Sequence, residues 1–378
     1  MKRTLLVTLD FPPMNGGVAN YWSNLCRELP ADEIVVLAPE GAGTIDFDIK
    51  QEYLIYRKNL LSKKTWIWPK WLPLLVETWR LITLEKIDFL IVTHVLPTGI
   101  IAYLLKKFLN LPYGLSIHGL DIAWTQNSKR KKWVTQKVLS EASWIISNSN
   151  YTKKLLHKYY PDLNTKEEIV YPCPNINNVE IPAVVKANLI KNNNLIDKKI
   201  LLTVGRLIER KGQDMVIKSL PQVLKTVPET RYIIVGRGGD KARLEHLIKA
   251  NHLEGKVIIY EKVANYELPA FYDLADVFIM PCRELKDGDV EGFGIVFLEA
   301  GNYKKPVIAG QSGGAIEAVE QNVTGLIVDP QNENEIAQAI IFLLQKPEKR
   351  KTLGLAGFNR AQTKFNWEEQ AKKIINLL

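Results

Sequence analysis

Cysteine is scarce in this chain and scattered where it occurs. Cys26, Cys173 and Cys282 lie far apart. There is no Cys-x-x-Cys pair and no His/Cys spacing of the zinc type, which argues against a structural zinc and a disulfide scaffold. Reduced, buried thiols are expected, as in cytosol. Long apolar runs are missing too, and no stretch is long enough to span a bilayer. The opening Met1-Lys2-Arg3-Thr4-Leu5-Leu6-Val7 is too short for a signal peptide and Asp10 follows at once, so it reads as a first strand. A complete dinucleotide fingerprint is also absent. In Val235-Gly236-Arg-Gly238-Gly239-Asp240 the third glycine would have to stand at Lys241, which argues against a nicotinamide or flavin enzyme. No nucleic-acid motif is visible.

What is present points to a two-domain α/β protein. The chain has 378 residues, more than one ordinary core holds. Hydrophobic residues at 46% and charged residues at 24% are those of a soluble globular protein. The formal charge of +9 favours anionic partners, either phosphorylated small molecules or anionic lipid. Strands are expected at 4–9, 34–38, 89–93, 114–117, 144–147 and 169–171. A second series is expected at 200–204, 232–235, 257–260, 277–280, 306–309 and 325–328. These runs are short, rich in Ile and Val, and apolar without alternation, as parallel strands buried on both faces are. Helical segments such as 242–250 and 333–344 fill the gaps. Pro172, Pro174, Pro182 and the Asn192-Asn193-Asn194 run mark a boundary. The expected domains are residues 1–180 and 181–360, each doubly wound, with one ligand in the cleft between them.

The segment from Ser62 to Trp79 stands apart. Trp66, Trp68, Trp71 and Trp79 are interleaved with Lys63, Lys64 and Lys70. Tryptophan prefers the interfacial zone of a membrane, and lysine favours anionic headgroups. A loop and helix packed on the first domain, with solvated lysines, is the other reading. Lys129-Arg130-Lys131-Lys132-Trp133 repeats the theme; a run like this is usually a solvated face.

Several short motifs carry chemistry. Glu291-Gly-Phe-Gly-Ile-Val-Phe-Leu-Glu299 sets two acids around a glycine-broken loop that runs into a helix. That pattern suits a sugar nucleotide: Glu291 near the sugar, Glu299 further down the helix at the ribose, and backbone N–H groups facing a diphosphate at the positive helix end. Upstream, Arg206 and Lys211 follow a strand, between Gly205 and Gly212. A planar guanidinium and a movable ammonium there can reach one diphosphate. Fixed cations at a leaving diphosphate stabilise the transition state more than the ground state. Gly16-Gly17 follows the first strand and lets the backbone approach a phosphate, although such turns are common. Gln311-Ser-Gly-Gly314 is a similar turn that ordinary loop geometry explains as well. His118, in Ser116-Ile-His118-Gly119-Leu-Asp121, ends a strand of the first half and can donate to a sugar hydroxyl.

Together these residues resemble family 4 of the retaining glycosyltransferases, over nearly the whole chain. The resemblance rests on Gly205-Arg206 with Lys211-Gly212, Val263 after a strand, Ala275 to Pro281, and the two glutamates. Phe11-Pro12-Pro13 with Gly16-Gly17, Met280-Pro281-Cys282-Arg283 and Asp289-Val290-Glu291-Gly292 are similar to phosphatidylinositol-mannoside α-mannosyltransferases. The resemblance implies the GT-B fold: two facing Rossmann-like domains, acceptor side first and nucleotide-sugar side second, with the active site in the cleft. It also implies a C-terminal helix within 361–378 that crosses back to the first domain. Gly16 and Gly17 would border the donor diphosphate, and Arg206 and Lys211 would bind it. The Val263 backbone would meet the nucleobase, Glu291 the sugar hydroxyls, Gly294 and Ile295 the phosphate, Glu299 the ribose and His118 the donor sugar.

The implied reaction is hexosyl transfer with retention, through an oxocarbenium-like transition state. No carboxylate is an obvious nucleophile, so a front-face route is expected, in which the departing phosphate takes the acceptor's proton. No cofactor is expected. Asp287-Gly-Asp289 resembles the metal-holding pair of another glycosyltransferase fold, but Arg206, Lys211 and a helix N-terminus would already supply positive charge. GDP-mannose as donor follows only from the narrower resemblance. A glycolipid or saccharide acceptor, cytoplasmic residence and a peripheral contact with the inner face of the cell membrane go with it. The alternatives are a UDP-sugar-dependent enzyme of lipopolysaccharide or polysaccharide synthesis, a synthase acting on a soluble sugar phosphate, and a non-catalytic sugar-nucleotide-binding protein.

Overall fold

A computed structural model describes residues 1–14, 16–64, 66–175, 181 and 183–378. The chain divides into two units, residues 1–172 with 367–378, and residues 173–366. The expected boundary after residue 180, and Pro182, lie outside the described residues.

In unit 1 strands and helices alternate: β1 (Thr4–Val7), α1 (Gly17–Glu28), β2 (Ile34–Pro39), α2 (Thr44–Asp48), β3 (Leu54–Lys58), α3 (Leu72–Leu84), β4 (Phe89–Val92), α4 (Thr98–Leu109), β5 (Tyr113–Ile117), α5 (Leu120–Ala123), α6 (Lys129–Ser140), β6 (Trp144–Ser147), α7 (Asn150–Tyr159) and β7 (Lys166–Ile169). All neighbouring strands pair parallel, in the order β3-β2-β1-β4-β5-β6-β7. β1, β4, β5 and β6 are wholly buried, which is why their sequences are apolar without alternation. The two edges differ from expectation. β3 was not anticipated, and the strand expected at 169–171 runs instead over Lys166–Ile169. Both are partly exposed edge strands with charged residues, Arg57 and Lys58 in one, Lys166, Glu167 and Glu168 in the other. Charge blunts an edge against unwanted pairing and also erases the apolar signal.

Unit 2 follows the same plan: α8 (Ala183–Asn192), β8 (Lys199–Val204), α9 (Gln213–Thr226), β9 (Thr230–Val235), α10 (Lys241–Ala250), β10 (Val257–Tyr260), α11 (Leu268–Leu274), β11 (Val277–Met280), α12 (Ile295–Asn302), β12 (Val307–Gly310), α13 (Ala315–Ala318), β13 (Gly325–Val328), α14 (Glu333–Gln345) and α15 (Pro347–Lys364). Its six parallel strands run β10-β9-β8-β11-β12-β13. Local chemistry sets the helix starts. Asn332 caps α14 by accepting a hydrogen bond from the Glu335 N–H at 3.1 Å.

The last helix, α16 (Trp367–Ile375), belongs to unit 1 and packs on α1. Trp367 meets Tyr21 edge-on at 5.8 Å, and the Gln370 side chain accepts the Tyr171 N–H at 2.9 Å. Residues 361–364 still continue α15.

In each sheet the winding reverses once, between β1 and β4 and between β8 and β11. Loops at the carboxyl ends of those strands are where doubly wound sheets take ligands. Asp10, Gly16 and His94 lie in such loops of unit 1, Gly17 opens the helix that follows, and His118 stands at the end of the neighbouring β5. Arg206, Lys211 and Glu291 lie in those of unit 2.

Candidate functional site

In unit 2 the turn after β8 and the loop after β11 meet through charges. Lys211 and Arg210 both donate to the same oxygen of Glu291, at 2.5 and 2.6 Å. Arg210 also lies 3.0 Å from Asp289 in an ion pair. Arg210 and Lys211 are buried. Burial alone would push the Glu291 carboxyl up; Lys211 and Arg210 outweigh it and hold it at about 2. The cluster is charge-balanced, two cations against two carboxylates. An ammonium has three donors and Glu291 occupies one, so Lys211 keeps capacity for a second acceptor. Arg206 stands at the end of β8 with an exposed side chain, outside this balance.

The turn is shaped for this contact. Gly212 adopts a left-handed conformation at φ +75°, and a Cβ there would collide with the Pro281 carbonyl. Behind Glu291, the Gly314 N–H donates to the Glu291 carbonyl at 2.8 Å. The Gln311–Gly314 turn therefore buttresses the acid loop.

Gly294 starts α12 at φ +84°, with no side-chain cap and no acid in the first turn. Its neighbour Ile295 opens the helix, leaving an uncapped N-terminus of the sort that binds anions. Glu299 sits further along the same helix and accepts the Tyr272 hydroxyl at 2.6 Å. Burial raises its pKa, opposed by Tyr272 and Lys211. Val263 lines a pocket of about 310 Å³ with Tyr260, Lys262 and Phe271. Asp287 and Asp289 do not converge on a common point: the Asp287 carboxylate accepts the Asp289 N–H, and Asp289 faces Arg210. Among the described residues no group of His, Cys, Asp and Glu has a metal-binding arrangement.

In unit 1 His118 faces a pocket of about 440 Å³ that also takes in Asp10, Val18, His94, Asp121 and Trp124. Its Nε2 lies 3.1 Å from the Ser116 hydroxyl, and its ring meets Tyr21 edge-on at 5.5 Å. Burial, helped by His94 and opposed by Asp10, pushes its pKa down to about 3, so the imidazole is neutral at physiological pH. One Asp121 oxygen caps the N–H groups of His118, Gly119 and Ile122 at 2.9 to 3.1 Å. Gly16 and Gly17 border the start of α1, where an added Cβ would meet no protein atom within 4 Å. The chain's own packing does not demand glycine there, so the open space is available to a ligand.

Sequence reasoning missed two partners. Arg210 passed as a spacer between Arg206 and Gly212, yet it holds Glu291 and Asp289 together. His94, paired with Asp10 at 3.2 Å, follows β4 much as His118 follows β5, and that parallel was its only signal.

Comparison with known proteins bears on both units. Residues 15–175 match the family described as Glycosyltransferase Family 4, and residues 185–360 match Glycosyl transferases group 1. The chain is 30% identical over 377 residues to the GDP-mannose-dependent alpha-(1-6)-phosphatidylinositol monomannoside mannosyltransferase of Mycolicibacterium smegmatis, covering 99% of this chain and 97% of that protein. It is 28% identical over 383 residues to the enzyme of Corynebacterium glutamicum named for the monoacylated monomannoside, covering 100% of this chain and 98% of that protein. Among solved structures it is similar to Anabaena HepE in complex with UDP, with a TM-score of 0.82, 19% identity and coverage of 100% and 99%. It is also similar to a sucrose-phosphate synthase from Thermosynechococcus elongatus, with a TM-score of 0.79, 22% identity and coverage of 100% and 98%. At such identities the structural likeness speaks for the fold alone.

Proposed function

The chain belongs to glycosyltransferase family 4 and has its GT-B fold, and from that membership we propose that it moves mannose from GDP-mannose to a glycolipid or saccharide acceptor with retention at the anomeric carbon. The observation that carries the site assignment is Lys211, held by Glu291 and still able to donate, in the same unit as the uncapped start of α12. That combination suits a diphosphate. The choice of sugar and base is supported by the full-length likeness to GDP-mannose-dependent enzymes.

Arg206, Lys211 and the backbone of Gly294 and Ile295 take the donor diphosphate. In unit 1 the family resemblance gives Gly16 and Gly17 a place beside phosphate. Glu291 accepts from sugar hydroxyls, Glu299 from the ribose, and the Val263 backbone meets the base. His118, neutral, donates to the sugar. As the bond from C1 to the phosphate oxygen breaks, charge grows on the diphosphate, where the cations are worth most. The acceptor oxygen attacks C1 from the same face, and its proton passes to the departing phosphate. No metal ion and no cofactor enters this scheme.

A donor screen tests the reading: GDP-mannose, UDP-glucose and other nucleotide sugars against lipid and saccharide acceptors, with product mass and anomeric configuration read by NMR. An α-mannosylated product from GDP-mannose is expected. A β-linked product from the α-linked donor would sink retention. Turnover only with a UDP-sugar would shift the donor. Nucleotide binding without transfer to any acceptor would indicate a silent binding protein.

A further inference from the structure

A glutamate is a long, flexible side chain, and a binding site gains from anything that aims it in advance. Glu299 lies in α12, four residues after Ile295. Its Oε2 accepts the Tyr272 hydroxyl at 2.6 Å. Its Oε1 accepts nothing from the described residues and is not sealed from solvent. The acid therefore has one oxygen tied down and one open.

Tyr272 is itself held in place. It belongs to α11 and is 2% exposed. Its ring stacks with Tyr303 at 5.3 Å between centroids, the planes 3° from parallel, and with Phe278 at 5.9 Å. Phe278 in turn meets Phe297 edge-on at 5.8 Å. The rings come from α11, from β11, from α12 and from the residue that ends α12, so the phenol oxygen is fixed by several elements at once. A buried tyrosine hydroxyl needs a partner, and a backbone carbonyl would serve. Here the partner is an acid on another helix, in a bond that a carboxylate makes stronger than a neutral acceptor would. Phenylalanine would fill the same place among the rings, so packing alone does not call for the oxygen. The preceding residue, Phe271, lines the pocket that holds Val263. Consecutive residues of α11 thus border the pocket given to the base and anchor the acid given to the ribose.

We infer that Tyr272 is the positioning residue of the ribose site: its hydroxyl occupies one oxygen of Glu299 and turns the other toward a ribose hydroxyl, so that the site selects a ribonucleotide over its deoxy counterpart. The inference rests on the contact between Glu299 and ribose proposed above, and adds to it a residue that touches no substrate. An acid fixed before the nucleotide arrives has less rotamer freedom to lose on binding. The same bond, with Lys211, opposes the upward push of burial on the Glu299 carboxyl and so favours its ionised form, which only accepts. A ribose hydroxyl is the donor that such an oxygen lacks.

The test is titration calorimetry of the full-length protein and its variants. Whichever of GDP and UDP binds more tightly is titrated beside its 2′-deoxy and 3′-deoxy forms. The wild type should prefer the ribonucleotide to at least one deoxy form by about tenfold. Tyr272→Phe should weaken the ribonucleotide by about that factor and leave the deoxy form nearly unchanged, so that the preference collapses. Glu299→Ala should abolish the preference by itself, and adding Tyr272→Phe to it should change little, because the two act through one contact. Thermal melts close to wild type establish that the variants are folded. A Tyr272→Phe protein that keeps the full preference overturns the inference and leaves the ribose contact standing. So does one that binds ribo- and deoxynucleotide equally more weakly than the wild type, with the preference intact, which is what loosened packing would give. A wild type without preference, or one that binds neither nucleotide, overturns the ribose contact and the inference with it. Failure of the donor screen to give a mannosylated product leaves the preference and its loss in Tyr272→Phe untouched.

Discussion

Glu291 is gripped by two cations at once, and that decides its behaviour in acid. Its carboxyl is held at about 2 against an ordinary 4.5. A depressed acid contributes stability above its unfolded pKa and loses it as pH falls toward the folded one. Urea unfolding at stepped pH should therefore show stability draining away from about pH 4.5 down to about 2, and Glu291→Gln should flatten that component. Arg210→Met leaves Glu291 and Asp289 short of a buried partner, so a loss of about 3 kcal/mol and a lower kcat are expected, with Arg210→Lys recovering part of both. His118 is the opposite case: burial keeps it neutral. Its ring protons should not titrate in NMR between about pH 5 and 8, where an ordinary histidine does; a midpoint in that window would contradict its assignment as a neutral donor. The carboxylates were legible in the sequence because two acids around a broken loop are an unusual pattern. Arg210 was not, because a cation next to a cation reads as a surface pair until the fold turns one of them inward.

At the scale of elements, the apolar strands announced themselves, the edges β10 and β13 of unit 2 included, and the charged edges of unit 1 did not. Val257–Tyr260, Val277–Met280 and Gly325–Val328 fall where the apolar runs put them, whereas β3 and β7 mix charge into a half-exposed strand and leave no run to read. The start of α1 offers a cleaner test of the glycine turn than its sequence did. Gly17 is the first residue of that helix, and a Cβ there meets nothing. Gly17→Ala should leave the melting temperature equal or slightly raised, because alanine is the better helix former. If a phosphate rests against that backbone, hexosyl transfer should nonetheless fall about tenfold or more. Unchanged transfer would remove Gly17 from the donor site.

The whole molecule is two units, one of which is assembled from both sides of the other in sequence. Trp367, Ala371 and Ile374 are buried, and α16 covers α1. Deleting residues 367–378 should lower the stability of unit 1 and leave that of unit 2 nearly unchanged, read by hydrogen exchange resolved along the chain. Equal loss of protection in both would mean that they unfold as one. The same arrangement sets an order of events on the ribosome. Residues 173–366 emerge before the helix that completes the first sheet's cover, so the nascent chain must carry Tyr21 and the side of α1 around it unsealed while an entire second Rossmann unit is translated. Cells making this protein would need to shelter that seam for as long as elongation takes, and slow codons between residues 173 and 366 would lengthen the exposure.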